Sequence, residues 1–178
     1  MSKSKTAAAT PLSRTEVKAP GHLHLGELCP HYGGVFAGLV RGQDEKPDYY
    51  LFVPPDMAAQ TTLPWGGYQH DEPGAKDAHD GLANTIELCE SKIEHPAAQF
   101  ARDLELYGLK DYYLPSREEL RLCFINCRSL FEPQWHWSST QYSAAYAWMQ
   151  YFFNGSQDYG HKGFDGRVRA VRRLLVIQ

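Results

Sequence analysis

No apolar run in this chain approaches the roughly 18 to 20 residues that a membrane-spanning helix requires, so no membrane insertion is expected. The opening MSKSKTAAATPLSRTEVKAP also lacks the apolar centre of a secretory signal, and the expected product is made in the cytosol. Cysteine is scarce, with four in 178 residues and no C-x-x-C pair. Cys123 and Cys127 stand four apart on an expected helix face, where they read, like Cys29 and Cys89, as reduced packing residues. An excess of one charge is missing too. Eighteen Lys and Arg against 21 Asp and Glu give a net charge of -3, so no global field draws nucleic acid or an anionic membrane. Catalytic signatures are absent: there is no G-x-S-x-G elbow, H-E-x-x-H helix or phosphate-binding glycine loop. His136 stands near Ser138 and Ser139 without an identifiable third group to orient it, so neither an enzyme nor a cofactor is expected.

Aromatic residues are plentiful, at 13% with 11 Tyr and 4 Trp. The length fits one domain, preceded by an extended arm over residues 1–20, with the domain over 21–178. GGVFAGLVRG and PDYYLFVPP are short apolar runs joined by turn residues, which predicts an early hairpin. Residues 57–81 read as a long loop, and LANTIELCESKIE as a helical turn or two with Leu82, Ile86, Cys89 and Ile93 at helical spacing. PAAQFARDLELYG predicts a short helix opened by Pro96 and stopped at Gly108. In PSREELRLCFINCRSLF, Ser116 and Glu119 form an S-x-x-E capping box, and Leu120, Cys123, Phe124, Cys127 and Phe131 share one stripe. Short strands are expected to the end, in an α+β arrangement.

WSSTQYSAAYAWMQYFFNGSQDYGHKGFDGRVRAVRR, residues 137–173, is crowded with Tyr, Phe, Ser, Asp and His. Trp137, Trp148 and Phe152 suit a core, because large aromatics carry much of a small domain's apolar burial. The remaining Tyr, Ser, Gly and Asn have the composition of evolved binding loops, where aromatics give contact area at low entropic cost. Alternation in a strand over 147–154 would place Trp148, Gln150 and Phe152 on one face and Met149, Tyr151 and Phe153 on the other. The candidate ligand-binding set is Tyr142, Ser143, Tyr146, Met149, Tyr151, Phe153, Ser156, Asp158, Tyr159, His161, Lys162, Phe164 and Asp165. The arginines of RVRAVRR read as structural ion pairs, with Glu118 and Glu119 as possible partners.

The progression AAQFARDLELYG, DYYLPSREEL, WHWSSTQYSAAYAW, FFNGSQDY and RVRAVRR resembles the C-type-lectin-like family of phage and prophage tail proteins and some bacterial adhesins. The likeness covers residues 95–175. It implies two helices packed on small twisted antiparallel sheets, chain ends meeting in a hairpin, and a loop-rich ligand face. The superfamily includes proteins whose C-terminal segment is diversified by retroelements through adenine-directed mutagenesis. Tyr142, Tyr146, Tyr159 and Phe164 are among the residue types reachable from an asparagine codon, whereas Trp148, Gln150, Gln157 and Lys162 are not, and Met149 does not fit.

The resemblance implies a non-enzymatic receptor-binding protein at a virion tail-fibre tip, recognising a bacterial surface protein or glycan. The N-terminal arm would attach it to other tail proteins, in a homotrimer that gains avidity. The alternatives are a structural tail or baseplate component and, more remotely, an enzyme of the formylglycine-generating kind, for which no cysteine follows Cys127. The calcium-binding triplets of sugar-binding lectins are absent. Three H-x-H pairs from His22 and His24 would offer a trimer six imidazole nitrogens, and Cys29 and His31 lie nearby in no common zinc spacing, but plain loop histidines are expected and no metal is assigned.

Overall fold

The computed structural model describes residues 23–176, and the expected arm over residues 1–20 falls outside them, as does His22. The elements in chain order are β1 (Leu28–Cys29), β2 (Gly34–Val40), β3 (Tyr49–Val53), β4 (Gln60–Pro64), α1 (Gly81–Glu90), α2 (Pro96–Asp103), β5 (Tyr112–Tyr113) and α3 (Arg117–Cys127). They continue with β6 (Trp135–Gln141), β7 (Tyr146–Tyr151), β8 (Gln157–His161), β9 (Asp165–Arg169) and β10 (Val171–Leu175). This is an α+β fold with two five-stranded sheets, ordered β1-β2-β3-β10-β5 and β4-β9-β6-β7-β8.

The early hairpin forms as its apolar runs predict: β2 and β3 pair antiparallel, and β10 lies antiparallel against β3. One residue, Ala170, separates β9 in the second sheet from β10 in the first, and its amide donates to the Ala59 carbonyl at 2.9 Å. The last strands therefore stitch the two sheets together. Helix α3 lays Leu120, Cys123 and Cys127 against Leu51, Val53, Tyr113, Phe152 and Val171. Helices α1 and α2 bring Leu88, Ala97, Ala98 and Ala101 against Trp65, Trp137 and Val168. Each large apolar side chain so buried contributes about 1.5–3 kcal/mol before entropy is charged.

The capping box of α3 is complete, with the Ser116 hydroxyl accepting from the Glu119 amide and the Glu119 carboxylate accepting from the Ser116 amide at 2.7 Å. That carboxylate is buried and also accepts from the phenols of Tyr49 at 2.7 Å and Tyr113 at 2.6 Å. Burial holds its pKa above the ordinary value, although the Tyr113 phenol, the Ser116 amide and the Tyr49 phenol pull the other way. A buried carboxylate persists only when its oxygens accept hydrogen bonds, and here Oε1 accepts two and Oε2 one.

The arginines are structural, but Glu118 and Glu119 are not their hydrogen-bonding partners. Arg172 forks onto Asp111, Arg173 pairs with Asp80 at 2.8 Å, Arg167 bridges to Glu132, and Arg169 donates to the Pro54 carbonyl at 2.6 Å. Burial works to raise the Asp80 pKa, yet Arg173, the Ala83 amide and Lys46 overcome it and leave it lowered. All four cysteines are free, with Cys123 and Cys127 buried in the core as their helical spacing implies.

Several expectations are corrected. Three α-helices are present among the described residues rather than two, since GLANTIELCE makes a full ten-residue helix capped by the Asp80 carboxylate. Its buried face is Asn84, Thr85 and Leu88, while Ile86 is exposed. The span 57–81 is not all loop, because QTTLP forms β4 by pairing with β9. The second sheet is not purely antiparallel: β6 meets β9 through a parallel pairing, His136 opposite Arg167. Helix α2 stops at Asp103, before Gly108.

His136 lies buried between the edges of Phe131 and Phe152, at ring distances of 5.2 and 4.7 Å. Burial drives its pKa down to about 4, against the opposing hydrogen bond to the Gln134 carbonyl. His95, also buried, is lowered for the same first reason. Between about pH 6.5 and 4 the unfolded chain binds a proton at His136 that the folded protein refuses, so stability falls with falling pH across that window. The loss due to His136 is expected to reach about 3 kcal/mol by pH 4. Urea denaturation at stepped pH should show this slope in the native protein and a flatter one in His136→Gln.

Candidate functional site

The β7–β8 hairpin supplies the surface. Its register sets Tyr146 opposite His161, Trp148 opposite Tyr159, and Gln150 opposite Gln157, so alternate residues of both strands share a face. Tyr142, arriving from β6 through a turn closed by the Tyr142 and Ser143 amides on the Tyr146 carbonyl, folds onto that face. Its ring stacks on Tyr159 with centroids 4.3 Å apart and planes 1° apart, and meets Trp148 edge-on at 5.2 Å. Tyr146 approaches Tyr159 edge-on at 5.3 Å. The row continues through His161, which lies 4.0 Å from the Tyr68 ring and 4.5 Å from the Phe164 ring. Tyr68, Tyr142, Tyr146, Tyr159 and Phe164 are all exposed, Phe164 to 68%. Cross-strand aromatic pairs of this kind stabilise a sheet by some tenths of a kcal/mol each, and here they fix the rings before any partner arrives.

The row is anchored at both ends. At one end the Arg117 guanidinium lies 4.0 Å over the Trp148 ring, its Nε donates to Gln157 Oε1 at 2.9 Å, and Gln157 Nε2 donates back to the Arg117 carbonyl at 2.9 Å. At the other end Lys162 turns inward. Its amine donates to the His70 carbonyl at 2.9 Å and to Gln141 Oε1 at 2.6 Å, and lies 4.5 Å from the Trp65 ring centre. Burial lowers the amine to about 8, against the neighbouring Glu72 and Asp71, so it remains a cation at neutral pH. Strands β8 and β9 are consecutive in sequence but separated by β6 and β7 in the sheet, so the link between them crosses two strands. Lys162 pins that crossing.

Beside the row, and sharing Tyr159, His161 and Phe164 with it, lies a groove of about 260 Å³. Trp137 and Met149, both buried, lie at its base, and Trp135, Asp158, Tyr159, His161, Phe164 and Asp165 line the rest. Two glycines make room for this floor: a Cβ at Gly160 would stand 2.5 Å from Met149 Sδ, and one at Gly166 would stand 2.5 Å from Trp137 Nε1. Trp137 spends its only donor on the Leu63 carbonyl at 3.1 Å.

The thirteen candidates do not make one surface. Tyr142, Tyr146, Tyr159, His161 and Phe164 are gathered in the aromatic row, with Ser143 in the turn beside them. Asp158 and Asp165 belong to the groove. Phe153 and Ser156 sit at the β7–β8 turn, at the far end of the hairpin, and Tyr151 stacks half-buried on Trp135 at 4.8 Å. Two are interior. Lys162 is 0% exposed because its bonds to Gln141 and His70 replace water, and Met149 is 8% exposed because Trp137 and the glycine-lined floor enclose it. Trp148, expected in the core with Trp137 and Phe152, is instead half-buried under Arg117. Tyr68 and Arg117 belong to the surface and carry no local signal, since only the fold brings residues 68 and 117 to this hairpin. His24 is exposed, its amide held by the Glu27 carboxylate. Among the described residues no three His, Cys, Asp or Glu side chains gather as a metal site would need.

Comparison with family models and with curated proteins found no match. The surface is therefore interpreted on its geometry.

Replacing Lys162 by Ala leaves the His70 carbonyl without its donor and removes the cation over Trp65. It should destabilise the protein by about 2–4 kcal/mol, read as a lowered urea midpoint. The hydrogen-exchange protection of the Gly66 amide, which bonds the Lys162 carbonyl at 3.1 Å, should fall with it.

Proposed function

We propose that this chain is a recognition module of the C-type-lectin-like kind, carried at the tip of a phage or phage-derived tail and binding a receptor on the bacterial surface. The observation that carries this reading is the row of exposed, mutually stacked aromatics on the β7–β8 hairpin. Stacked tyrosines present wide contact area at little entropic cost and are already ordered, which favours tight, slowly dissociating contacts. A contiguous exposed aromatic patch of this kind marks an interaction site. The arrangement of a capped α3, a terminal strand beside the early hairpin, and a second sheet displaying its strands supports the lectin-like assignment. In this reading a trimer attached through residues 1–20 presents three such rows together, and the single contacts add through avidity.

The triple substitution of Tyr68, Tyr142 and Tyr146 by Ala tests the reading, because these rings are exposed and lie outside the groove. Binding of the labelled protein to a panel of bacterial cells should fall at least about tenfold, with the thermal midpoint little changed. Undiminished binding would reject the surface. Unchanged cell binding together with failure to enter a tail particle would make the row a contact between virion proteins.

A further inference from the structure

The groove beside the aromatic row differs from it in chemistry. Asp158 and Asp165 face it from β8 and β9, on either side of the Trp137 and Met149 floor. Neither carboxylate has a cationic partner among the described residues, and the one hydrogen bond to Asp158 comes from the adjacent Tyr159 amide at 2.8 Å. The nearby cations are engaged elsewhere. Arg167 bridges Glu132 and donates to Thr62 Oγ1 at 2.8 Å, Lys162 points inward to Gln141, and Arg117 lies over Trp148. His161 uses Nδ1 to accept from the Gly163 amide at 3.2 Å.

Two unpaired carboxylates beside indole rings repel an anion and attract a cation, which gains from both the charge and the ring faces. The floor offers no free donor, because Trp137 Nε1 is spent on Leu63. At about 260 Å³ the groove lies just below the roughly 300 Å³ at which small-molecule pockets begin, so it suits an end group rather than a whole extended ligand. A planar guanidinium lies against aromatic rings better than a compact ammonium does, and the chain already shows the pairing elsewhere on the hairpin, with the Arg117 guanidinium 4.0 Å over Trp148.

We propose that the groove takes the guanidinium group of an arginine side chain on a protein receptor, flanked by Asp158 and Asp165 and lying against Trp135 and Phe164. The identity of the partner rests on the recognition reading above, whereas the binding chemistry does not.

Met149 is one of three methionines in the sequence, and its methyl group sits in the floor of the groove, so its carbon-13 methyl resonance reports occupancy directly. Titration of the intact protein with N-acetyl-arginine amide should move that resonance saturably. The citrulline analogue, of the same shape but uncharged, should not move it at the same concentrations, and N-acetyl-lysine amide should bind at least about threefold more weakly. Asp158→Asn with Asp165→Asn should weaken the arginine probe at least about tenfold, while the thermal midpoint stays near that of the parent. Equal binding of citrulline, undiminished binding in the double variant, or saturation of the same resonance by a methyl glycoside would overturn the proposal. Lysine binding as tight as arginine would overturn its guanidinium specificity. The two readings fail separately: silent Met149 with cell binding that still depends on Tyr68, Tyr142 and Tyr146 rejects the groove alone. A responsive Met149 with cell binding indifferent to those tyrosines rejects the aromatic surface alone.

Discussion

A carboxylate sealed from solvent must have its oxygens answered by the protein, and Glu119 has two phenols on one oxygen and a backbone amide on the other. Because those donors come from β3, from β5 and from the residue that opens α3, one buried charge fixes where the helix starts relative to the first sheet. The start of the helix in turn fixes Arg117, whose guanidinium covers Trp148 and clasps Gln157 on the second sheet. Trp148 and Gln157 set the hairpin on which Tyr142 and Tyr159 stack. The route from an interior carboxylate to an exterior pair of rings thus runs through contacts that are each short and directional. Loss of the carboxylate would leave the buried Tyr113 phenol without its acceptor and the cap undone, with Tyr49 left only the His79 carbonyl at 3.1 Å, which is why such groups are costly to remove singly.

Features determined by neighbouring residues were legible in the sequence. Helix α3 announces itself through Ser116 and Glu119 three apart, and the early hairpin through two apolar runs and a turn, since these signals are local. Strand β4 was not legible, because QTTLP becomes a strand only by pairing with residues about a hundred positions later. Helix α1 misled for another reason: its buried face is Asn84 and Thr85, which bond Asp77 and Leu114, so an apolar stripe points to the wrong side. Lys162 was read as exposed because a lysine is rarely buried. Its burial depends on Gln141 and the His70 carbonyl, which no spacing rule connects to it. The aromatic excess in the C-terminal segment was legible as binding material, whereas its division between row and groove required the register of β7 against β8.

That division gives the row and the groove different physics. The aromatic row is broad, exposed and already stacked, so its energy comes from area and from order that need not be acquired on contact. The groove is small and acidic, and glycines on β8 and β9 leave room for the Trp137 ring and Met149 at its base. In the proposed reading the row supplies area and the groove supplies a single charged point of register, which suits a surface that must distinguish one apolar patch from another. Both depend on Lys162, whose inward amine holds the strand crossing that leads from the row to the groove wall.

The passage of one strand pair through two sheets, with Ala170 alone between β9 and β10, has a consequence for how this surface can change over evolutionary time. Residues 165–175 are in register with β4 and β6 on one side of Ala170 and with β3 and β5 on the other. A residue gained or lost there would invert side-chain facing in at least one sheet, since the pleat repeats every two residues. Exchange of one side chain for another leaves both registers intact. The segment is therefore closed to variation in length, and open to variation in identity only at outward positions such as Asp165, since Gly166, Val168, Arg169, Val171, Arg172 and Leu174 are buried.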